Sequence, residues 1–230
     1  MKIGGLQKTS LLDYPEEVSA IIWTVGCNFN CPFCYNKDLV KGNITEIPED
    51  EVLSFLDKRK KMLDGLVISG GEPFLQKDLK NFCKKVKKLG YKIKIDTNGT
   101  FPDKLKELID EKLVDYIAMD IKAPAKKYEK LAGKKTDTKK IKKSIKIIQD
   151  SGVDYEFKTT FVPELLKKED IIEIAKELKG SKKYYLQQFK NDVDLISDTI
   201  MDKNPYSSEF LEETLNEIKP YFSYCKVRGD

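Results

Sequence analysis

Three cysteines, Cys27, Cys31 and Cys34, stand within eight residues of the stretch GCNFNCPFCYN (26–36). Their spacing, C-x3-C-x2-C, brings three thiols together, one fewer than the four ligands of a closed metal site. The same spacing would place them on one face of a helix, but the asparagines and the proline between them disfavour one, so we expect a loop. Because the chain has only five cysteines, three of them clustered, we expect metal binding rather than disulfides.

Three kinds of site could use these thiols. Buried structural cysteines are one, although three in eight residues is an unusual density for that role. Zinc is another, but it takes four thiolate or imidazole ligands; the sequence has no histidine, and Cys83 and Cys225 form no second pair. The third is an iron–sulfur cluster, which thiolates ligate. With three ligands, one iron of a [4Fe-4S] cluster stays open to another ligand, and Phe29 and Phe33 can shield the cluster from water. We favour the cluster.

Strand-like and helix-like stretches must position these cysteines, and they alternate along the chain. The predicted strands cover 18–25, 65–70, 91–96, 114–121, 154–162 and 183–189. The predicted helices cover 49–63, 79–90, 101–113, 140–152, 168–180 and 207–222, with Cys83 on the apolar stripe of the second. Six β/α units in this order indicate an α/β fold with a parallel sheet, either doubly wound or a barrel.

Chain length helps to choose between these architectures. A complete eight-fold barrel takes about 250 residues. Six units in 230 residues therefore predict a partial (β/α)6 barrel that is open on one side. Since no linker, repeat or low-complexity stretch divides the chain, we expect a single domain over 1–230.

Three further motifs fall at strand ends: SGGEP (69–73), DTNG (96–99) and MDIK (119–122). Each has an ordinary structural explanation: a glycine turn, an Asn-Gly turn and a solvated Asp120–Lys122 ion pair. Chemistry in parallel α/β folds, however, sits at the carboxyl ends of the strands. The cysteine loop and the three motifs would then meet on one rim and form one site.

Composition narrows the function classes. The chain has no apolar run of membrane-spanning length and no signal peptide, so we expect a cytoplasmic protein without membrane contact. Its formal net charge is only +4, and lysine runs such as 134–143 read as a solvated helix face, so no nucleic-acid partner is indicated. The absence of histidine excludes His-based triads and His metal ligands.

The cysteine spacing, with Phe33 just before the last cysteine, and the accompanying SGGEP resemble the radical S-adenosylmethionine (SAM) enzymes. The resemblance implies one [4Fe-4S] cluster on Cys27, Cys31 and Cys34, with SAM bound to the open iron. An electron from the cluster would cleave SAM to a 5′-deoxyadenosyl radical. Glu72, after Gly70 and Gly71, is implied as the partner of the methionyl ammonium.

The stretches GLQKTSLLDYP (5–15), DTNG, MDIK and LQQF (186–189) extend the resemblance to the activating enzymes of glycyl-radical enzymes, most of all those of anaerobic ribonucleoside-triphosphate reductase. That group implies a glycyl-radical enzyme as partner and a low-potential electron donor. It implies SAM contacts by Phe33, Asn98, Lys122, Val162 and Gln188, the last two with the adenosine. It also implies a monovalent cation at Asp96, Thr97 and Asp120.

The chain departs from this group in two places: the residue after the third cysteine, and residues 37–66, where larger activating enzymes carry a cysteine-rich insert. Histidine commonly follows the third cysteine of these enzymes, whereas Tyr35 stands there in this sequence. Residues 37–66 contain no cysteine, so we expect a single cluster.

The alternative is a radical SAM enzyme that acts on a small molecule such as a nucleotide or pterin; a deeper, closed pocket would favour it. A non-catalytic iron–sulfur electron carrier is a further class, against which the open ligand position and the SGGEP turn argue.

Overall fold

The computed structural model describes residues 1–229; the last residue of the predicted domain, 230, lies outside this range. Eight strands form one sheet in sequential order. They are β1 Ile3–Ser10, β2 Ser19–Thr24, β3 Gly65–Gly70, β4 Lys92–Thr97, β5 Tyr116–Asp120, β6 Asp154–Phe161, β7 Lys183–Gln188 and β8 Tyr224–Arg228. β1 is antiparallel to β2, and every later neighbour is parallel. The sheet ends at β1 and β8 without pairing them, which confirms the predicted partial barrel that is open on one side.

Nine α-helices accompany the strands in the described part of the chain. They are α1 Lys37–Lys41, α2 Glu49–Lys58, α3 Leu79–Lys88, α4 Pro102–Asp110, α5 Tyr128–Ala132, α6 Thr138–Asp150, α7 Lys168–Glu177, α8 Asp198–Met201 and α9 Ser208–Ile218. The six predicted strands correspond to β2–β7 and the six predicted helices to α2, α3, α4, α6, α7 and α9. The sequence did not predict β1, β8 or the short helices α1, α5 and α8.

Two predicted helices end early. The helix predicted over 49–63 ends at Lys58, and Met62 is 63% exposed. A continued helix would have turned Arg59 and Lys60 toward the core on the face of Leu56, so the chain turns instead. The helix predicted over 207–222 ends at Ile218, before a 3₁₀ turn that contains Pro220, which has no backbone N–H to donate.

Strand alternation gives the sheet two different faces. Toward the helices, Ile68, Ile95 and Phe157 are fully buried and form the main core with apolar residues of the helices, including Cys83 on α3. Burial of each such aliphatic or aromatic side chain contributes about 1.5–3 kcal/mol. The core therefore holds the strands, and hence their carboxyl ends, in fixed positions.

The other face of the sheet carries charged and aromatic side chains. Tyr14, Ile21, Val67 and Tyr116 form a small apolar cluster there. Next to it, alternate residues of β4 and β6 are charged: Lys94 and Asp96, then Glu156 and Lys158. This face leads to the carboxyl ends of the strands. None of the helices in residues 1–229 combines the length and apolar character needed to cross a membrane.

Candidate active site

A cavity of about 240 Å³ opens at the carboxyl ends of the parallel strands. Twelve of the fourteen site residues predicted from the sequence line it: Cys27, Cys31, Phe33, Cys34, Gly70, Gly71, Asp96, Thr97, Asn98, Asp120, Lys122 and Gln188. Glu72 and Val162 are fully buried and do not line it. The fold thus brings the four strand-end motifs to one site.

The three clustered thiols lie in a loop between β2 and α1. Cys31 is buried, and Cys27 and Cys34 are half-buried. Burial raises the pKa of the Cys27 thiol to about 12 and that of the Cys31 thiol to about 11, so both thiols keep their protons near neutral pH until a metal displaces them. The backbone N–H of Phe29 donates to Cys27 Sγ at 3.4 Å.

The cysteine loop is held by backbone contacts with distant parts of the chain. The Asn30 N–H donates to the Ala132 carbonyl at 2.8 Å, and the Ser197 N–H donates to the Pro32 carbonyl at 3.0 Å. Phe29 is buried in edge contact with the Tyr128 ring. These contacts fix the loop before any ligand binds, which fits a site that must present three thiols in one geometry.

Gly70 and Gly71 allow the chain to pass very close to its own backbone. Gly70 has a φ of +113°, which side-chain-bearing residues rarely adopt. A Cβ on Gly71 would lie 2.0 Å from the Gly26 carbonyl oxygen, just before the first cysteine. The Glu72 N–H donates to the same oxygen at 2.9 Å. The close approach seen here is therefore between the SGGEP turn and the cysteine loop.

Glu72 joins the SGGEP turn to the DTNG turn. Its carboxylate accepts hydrogen bonds from the Phe74 N–H at 3.1 Å, the Thr97 hydroxyl at 2.8 Å and the Asn98 N–H at 2.7 Å. Burial raises its pKa to about 7, although these donors act in the opposite direction. In this structure Glu72 positions the two turns beneath the cavity; its predicted contact with a methionyl ammonium stays a prediction.

Asn98 extends this link to the cysteine loop. Its side-chain amide donates to Asn28 Oδ1 at 2.9 Å, and Asn28 Nδ2 donates to the Thr100 hydroxyl at 2.9 Å. Asn28 follows Cys27 directly. The strand-end turns and the thiol loop are thus one hydrogen-bonded unit.

Asp120 and Lys122 are paired inside the cavity. Lys122 Nζ lies 3.3 Å from Asp120 Oδ1, and the two side chains are only 16% and 22% exposed, so this is not the solvated surface pair of the ordinary explanation. Burial opposes the charge on Lys122, but the Asp120 carboxylate and the Cys31 and Cys34 sulfurs in their thiolate form raise its pKa above the usual range. Its ammonium also lies over the Phe33 ring, 5.7 Å from the centroid.

Asp96 is compensated by two lysines. Lys94 Nζ lies 3.0 Å from Asp96 Oδ1, and Lys158 Nζ lies 3.8 Å from Oδ2. Ser69 donates to Oδ2 at 2.9 Å. Burial opposes the charge of Asp96, but the two ammonium groups lower its pKa to about 2. Asp96 is therefore ionised, and the positive charges that compensate it come from Lys94 and Lys158 of the same chain.

Sequence reasoning missed several residues of this site. Lys158 and Thr160 of β6, Gln187 of β7 and Ser69 of β3 line the cavity. Ser69 and Gln187 lie within the quoted stretches SGGEP and LQQF but were not assigned to the site. For β6 the signal was its alternation, because Glu156, Lys158 and Thr160 share the face opposite the core. Tyr35 lines the cavity too, and its hydroxyl accepts from the Lys190 N–H at 3.0 Å.

The two predicted adenosine contacts differ in position. Gln188 lines the cavity, while its amide is held by the Tyr206 carbonyl at 2.8 Å and by the Phe189 N–H at 3.1 Å. Val162 packs in the core, and its carbonyl accepts from the Leu166 N–H at 2.9 Å. Contacts of both residues with adenosine stay predictions.

The donor set fits an iron–sulfur cluster with one open ligand position. Three thiols line one cavity, one sulfur accepts a backbone N–H, and the Lys122 ammonium provides positive charge beside the sulfurs. Thiolates and surrounding hydrogen bonds are the features that hold such clusters and set their potential. Among the polar residues that line the rest of the cavity, Asp120, Lys122 and Asn98 offer charged and amide groups to an organic ligand beside the thiols.

Comparison with known proteins agrees with this geometry. The model of the radical SAM superfamily matches residues 21–178. A Methanocaldococcus jannaschii protein named "Putative glycyl-radical enzyme activating enzyme MJ1227" is 39% identical over 193 residues, 82% of this chain and 80% of that protein. A second M. jannaschii protein of the same description, MJ1632, is 32% identical over 76% of this chain and 68% of its own length. The chain therefore belongs to the radical SAM superfamily and, within it, to the glycyl-radical enzyme activating enzymes.

A solved structure shows the same fold. Streptococcus suis SuiB bound to S-adenosylmethionine superposes with a TM-score of 0.69 over 90% of this chain, at 17% identity. The chain spans about half the length of SuiB (49%). Membership of the superfamily implies a [4Fe-4S] cluster and SAM as cofactors, and the residues of the cavity fit both.

Proposed function

We propose that this protein activates an anaerobic ribonucleoside-triphosphate reductase by installing a radical on one of its glycines. The observation that carries the proposal is the convergence of three thiols, the SGGEP turn and the Asp120–Lys122 pair on one cavity at an open barrel. When bound, the reduced cluster would supply one electron to the SAM sulfonium, whose C5′–S bond would break to give methionine and a 5′-deoxyadenosyl radical. That radical would take a hydrogen atom from a glycine Cα, giving 5′-deoxyadenosine and the glycyl radical.

The residues of the chain would hold and orient SAM. Cys27, Cys31 and Cys34 would ligate three irons and leave the fourth to the amino and carboxylate groups of SAM. Lys122, charged and largely buried, is placed to face an anionic carboxylate. The Asn98 amide offers a polar group beside the same cavity. The proposed hydrogen abstraction requires no side chain to act as a base, which agrees with the absence of histidine from the sequence.

The substrate would be a protein loop. The sheet is open between β1 and β8 in residues 1–229, so the cavity is reachable from the side. Glycine lacks a side chain to obstruct approach to its Cα. A loop inserted there would also exclude water from the radical, so productive cleavage should wait for the partner. The choice of reductase rests on a resemblance: GLQKTSLLDYP (5–15) and the strand-end motifs are similar to those of the activating enzymes of anaerobic ribonucleoside-triphosphate reductase.

The test is anaerobic and direct. The reduced, reconstituted protein is mixed with SAM and the anaerobic reductase of the same source, and the sample is examined by electron paramagnetic resonance. A glycyl-radical doublet is expected, and it should vanish when the reductase carries alanine at the radical glycine. No doublet, together with fast turnover of a free nucleotide or pterin, would replace this proposal by the small-molecule alternative.

A further inference from the structure

The residues expected to hold a monovalent cation are already engaged within the chain. The Thr97 hydroxyl donates to Glu72 at 2.8 Å and accepts the Gly99 N–H at 3.1 Å, and Thr97 is only 3% exposed. Asp120 faces Lys122. Asp96 faces Lys94 and Lys158. A metal ion at this place would have to displace ammonium groups that are covalently part of the strands.

The two lysines beside Asp96 are themselves well buried. The side chain of Lys94 is 5% exposed and that of Lys158 is 14% exposed. Lys94 Nζ is further fixed by donating to the Asp13 carbonyl at 2.7 Å. Burying an ammonium group costs free energy unless it is paired with a negative charge. We therefore expect both ammonium groups to stay paired in this part of the barrel.

The local charge balance leaves little need for another cation. Three ammonium groups, from Lys94, Lys122 and Lys158, face two carboxylates, Asp96 and Asp120. Glu156, the other carboxylate near Lys158, is neutralised by a two-point contact with Arg228 at 2.7 and 3.1 Å. These five groups thus have one positive charge in excess, apart from Glu72 beneath the cavity, and a ligand carboxylate can match it.

One feature favours a cation. Asp96 Oδ1 accepts no well-directed hydrogen bond, because Lys94 approaches it to ion-pair distance while donating to Asp13. An ammonium at 3.0 Å nevertheless supplies the charge that a monovalent ion would supply.

We propose that Lys94 and Lys158 take the place of the monovalent cation beside the bound SAM carboxylate, so that this protein binds SAM without added sodium or potassium. The inference rests on the proposed function, since it requires SAM in this cavity. The two lysines act here as positioning residues, through Asp96, and Lys158 also lines the cavity.

The first experiment uses the reconstituted wild-type protein. SAM affinity is measured from the change of the reduced cluster's electron paramagnetic resonance signal in choline chloride, sodium chloride or potassium chloride of equal ionic strength. We expect equal affinities within about two-fold. Thallium(I) NMR should show no bound signal. A ten-fold or larger gain in potassium or sodium over choline, or a bound thallium ion that potassium displaces, would overturn the inference.

The second experiment removes one ammonium at a time. Lys94→Met and Lys158→Met should bind SAM about ten-fold more weakly in choline chloride and recover when potassium or ammonium ions are added. Lys92→Met is the matched control: it lies on the same strand and face as Lys94 but pairs with Glu17 at the surface, and its SAM affinity should not change. Weakened binding that no cation restores, in variants with wild-type circular dichroism and iron content, would contradict the inference.

The two proposals can fail separately. If either lysine variant loses its cluster, the wild-type salt comparison still decides the question. If SAM leaves the cluster signal unchanged in every salt, the proposed function fails. If SAM binds but only with potassium or sodium, the function stands and the role given to the lysines is wrong.

Discussion

The buried carboxylate of Glu72 accepts the backbone N–H of Asn98 at 2.7 Å. This bond ties the turn after β3 to the turn after β4, and the Thr97 hydroxyl adds a second link at 2.8 Å. Since the Glu72 N–H also donates to the Gly26 carbonyl, one residue connects three strand ends. The geometry of the cavity depends on this connection.

Glu72→Gln should change how stability depends on pH. The pKa of Glu72 rises from 4.5 to about 7 because the group is buried, so the folded state keeps a proton that the unfolded state loses. Stability therefore falls as pH rises from 4.5 to about 7, by up to about 3 kcal/mol. Urea unfolding of the cluster-free protein across this range should show the fall in the wild type and not in the variant. An unchanged slope in Glu72→Gln would contradict the assignment.

Gly71→Ala should prevent cluster assembly. The added methyl group would lie 2.0 Å from the Gly26 carbonyl oxygen, a backbone atom that can move only with the cysteine loop. We expect a folded protein with iron content reduced to a small fraction of the wild type. Gly90→Ala is the control, because a Cβ there meets no atom within 4 Å. It costs about 1 kcal/mol for its positive φ and should load iron normally.

The five cysteines should separate into two groups. Cys27→Ala, Cys31→Ala and Cys34→Ala should each abolish reductive cleavage of SAM. Cys83→Ala should retain it and lose about 1 kcal/mol of stability, because its sulfur is fully buried in the core. Cys225→Ala, on β8, should also retain cleavage. Iron analysis and product chromatography measure both effects; loss of the cluster in Cys225→Ala would show that the three-ligand assignment is incomplete.

The parts of the fold that could not be predicted have weak local signals. β1 reads IGGLQKTS and β8 reads YCKVR, neither with an apolar alternation; their order comes from pairing with β2 and β7. Lys158 is one of forty lysines, and the alternation along β6 shows which face it lies on but not that it is a buried site residue. Its role depends on long-range pairing: β6 lies beside β5, and the Lys158 side chain reaches across β5 to Asp96 of β4. The strand-end motifs were predictable because the chemistry of the site depends on their residue types and spacing, and both can be read from the sequence.

Tyr35→Phe should weaken the attachment of the 190–206 segment to the cysteine loop without preventing cleavage of SAM. The Tyr35 hydroxyl accepts the Lys190 N–H, the Ser197 N–H donates to the Pro32 carbonyl, and Lys37 at the start of α1 pairs with Asp194 at 2.7 Å, so three contacts fasten the 190–206 segment beside the loop. Losing one bond should cost about 1 kcal/mol locally and speed bleaching of the cluster by air several-fold. SAM cleavage under anaerobic conditions should stay near the wild-type rate. Tyr224→Phe, an exposed tyrosine on β8, serves as control; a large loss of cleavage in Tyr35→Phe would indicate a chemical role for its hydroxyl.

Arg228→Met should destabilise the barrel far from the thiols. Arg228 makes two hydrogen bonds to Glu156, which is 1% exposed. Burial opposes the charge of Glu156, but the Arg228 guanidinium lowers its pKa below the usual value. Glu156 therefore stabilises the fold above pH 4.5, and this contribution is lost as pH falls through its lowered pKa. Removing Arg228 leaves a buried charge without its partner, which costs about 3–5 kcal/mol.

The measurement is the free energy of unfolding near neutral pH and again in acid. The loss in Arg228→Met should be large near neutral pH and should shrink in acid, where Glu156 becomes protonated in the wild type and variant alike. Lys226→Met is the matched control, because Lys226 lies on the same strand and is exposed, and it should lose less than about 0.5 kcal/mol. Equal losses in the two variants, or a loss in Arg228→Met that does not change with pH, would show that the buried pair does not anchor β8 to the sheet.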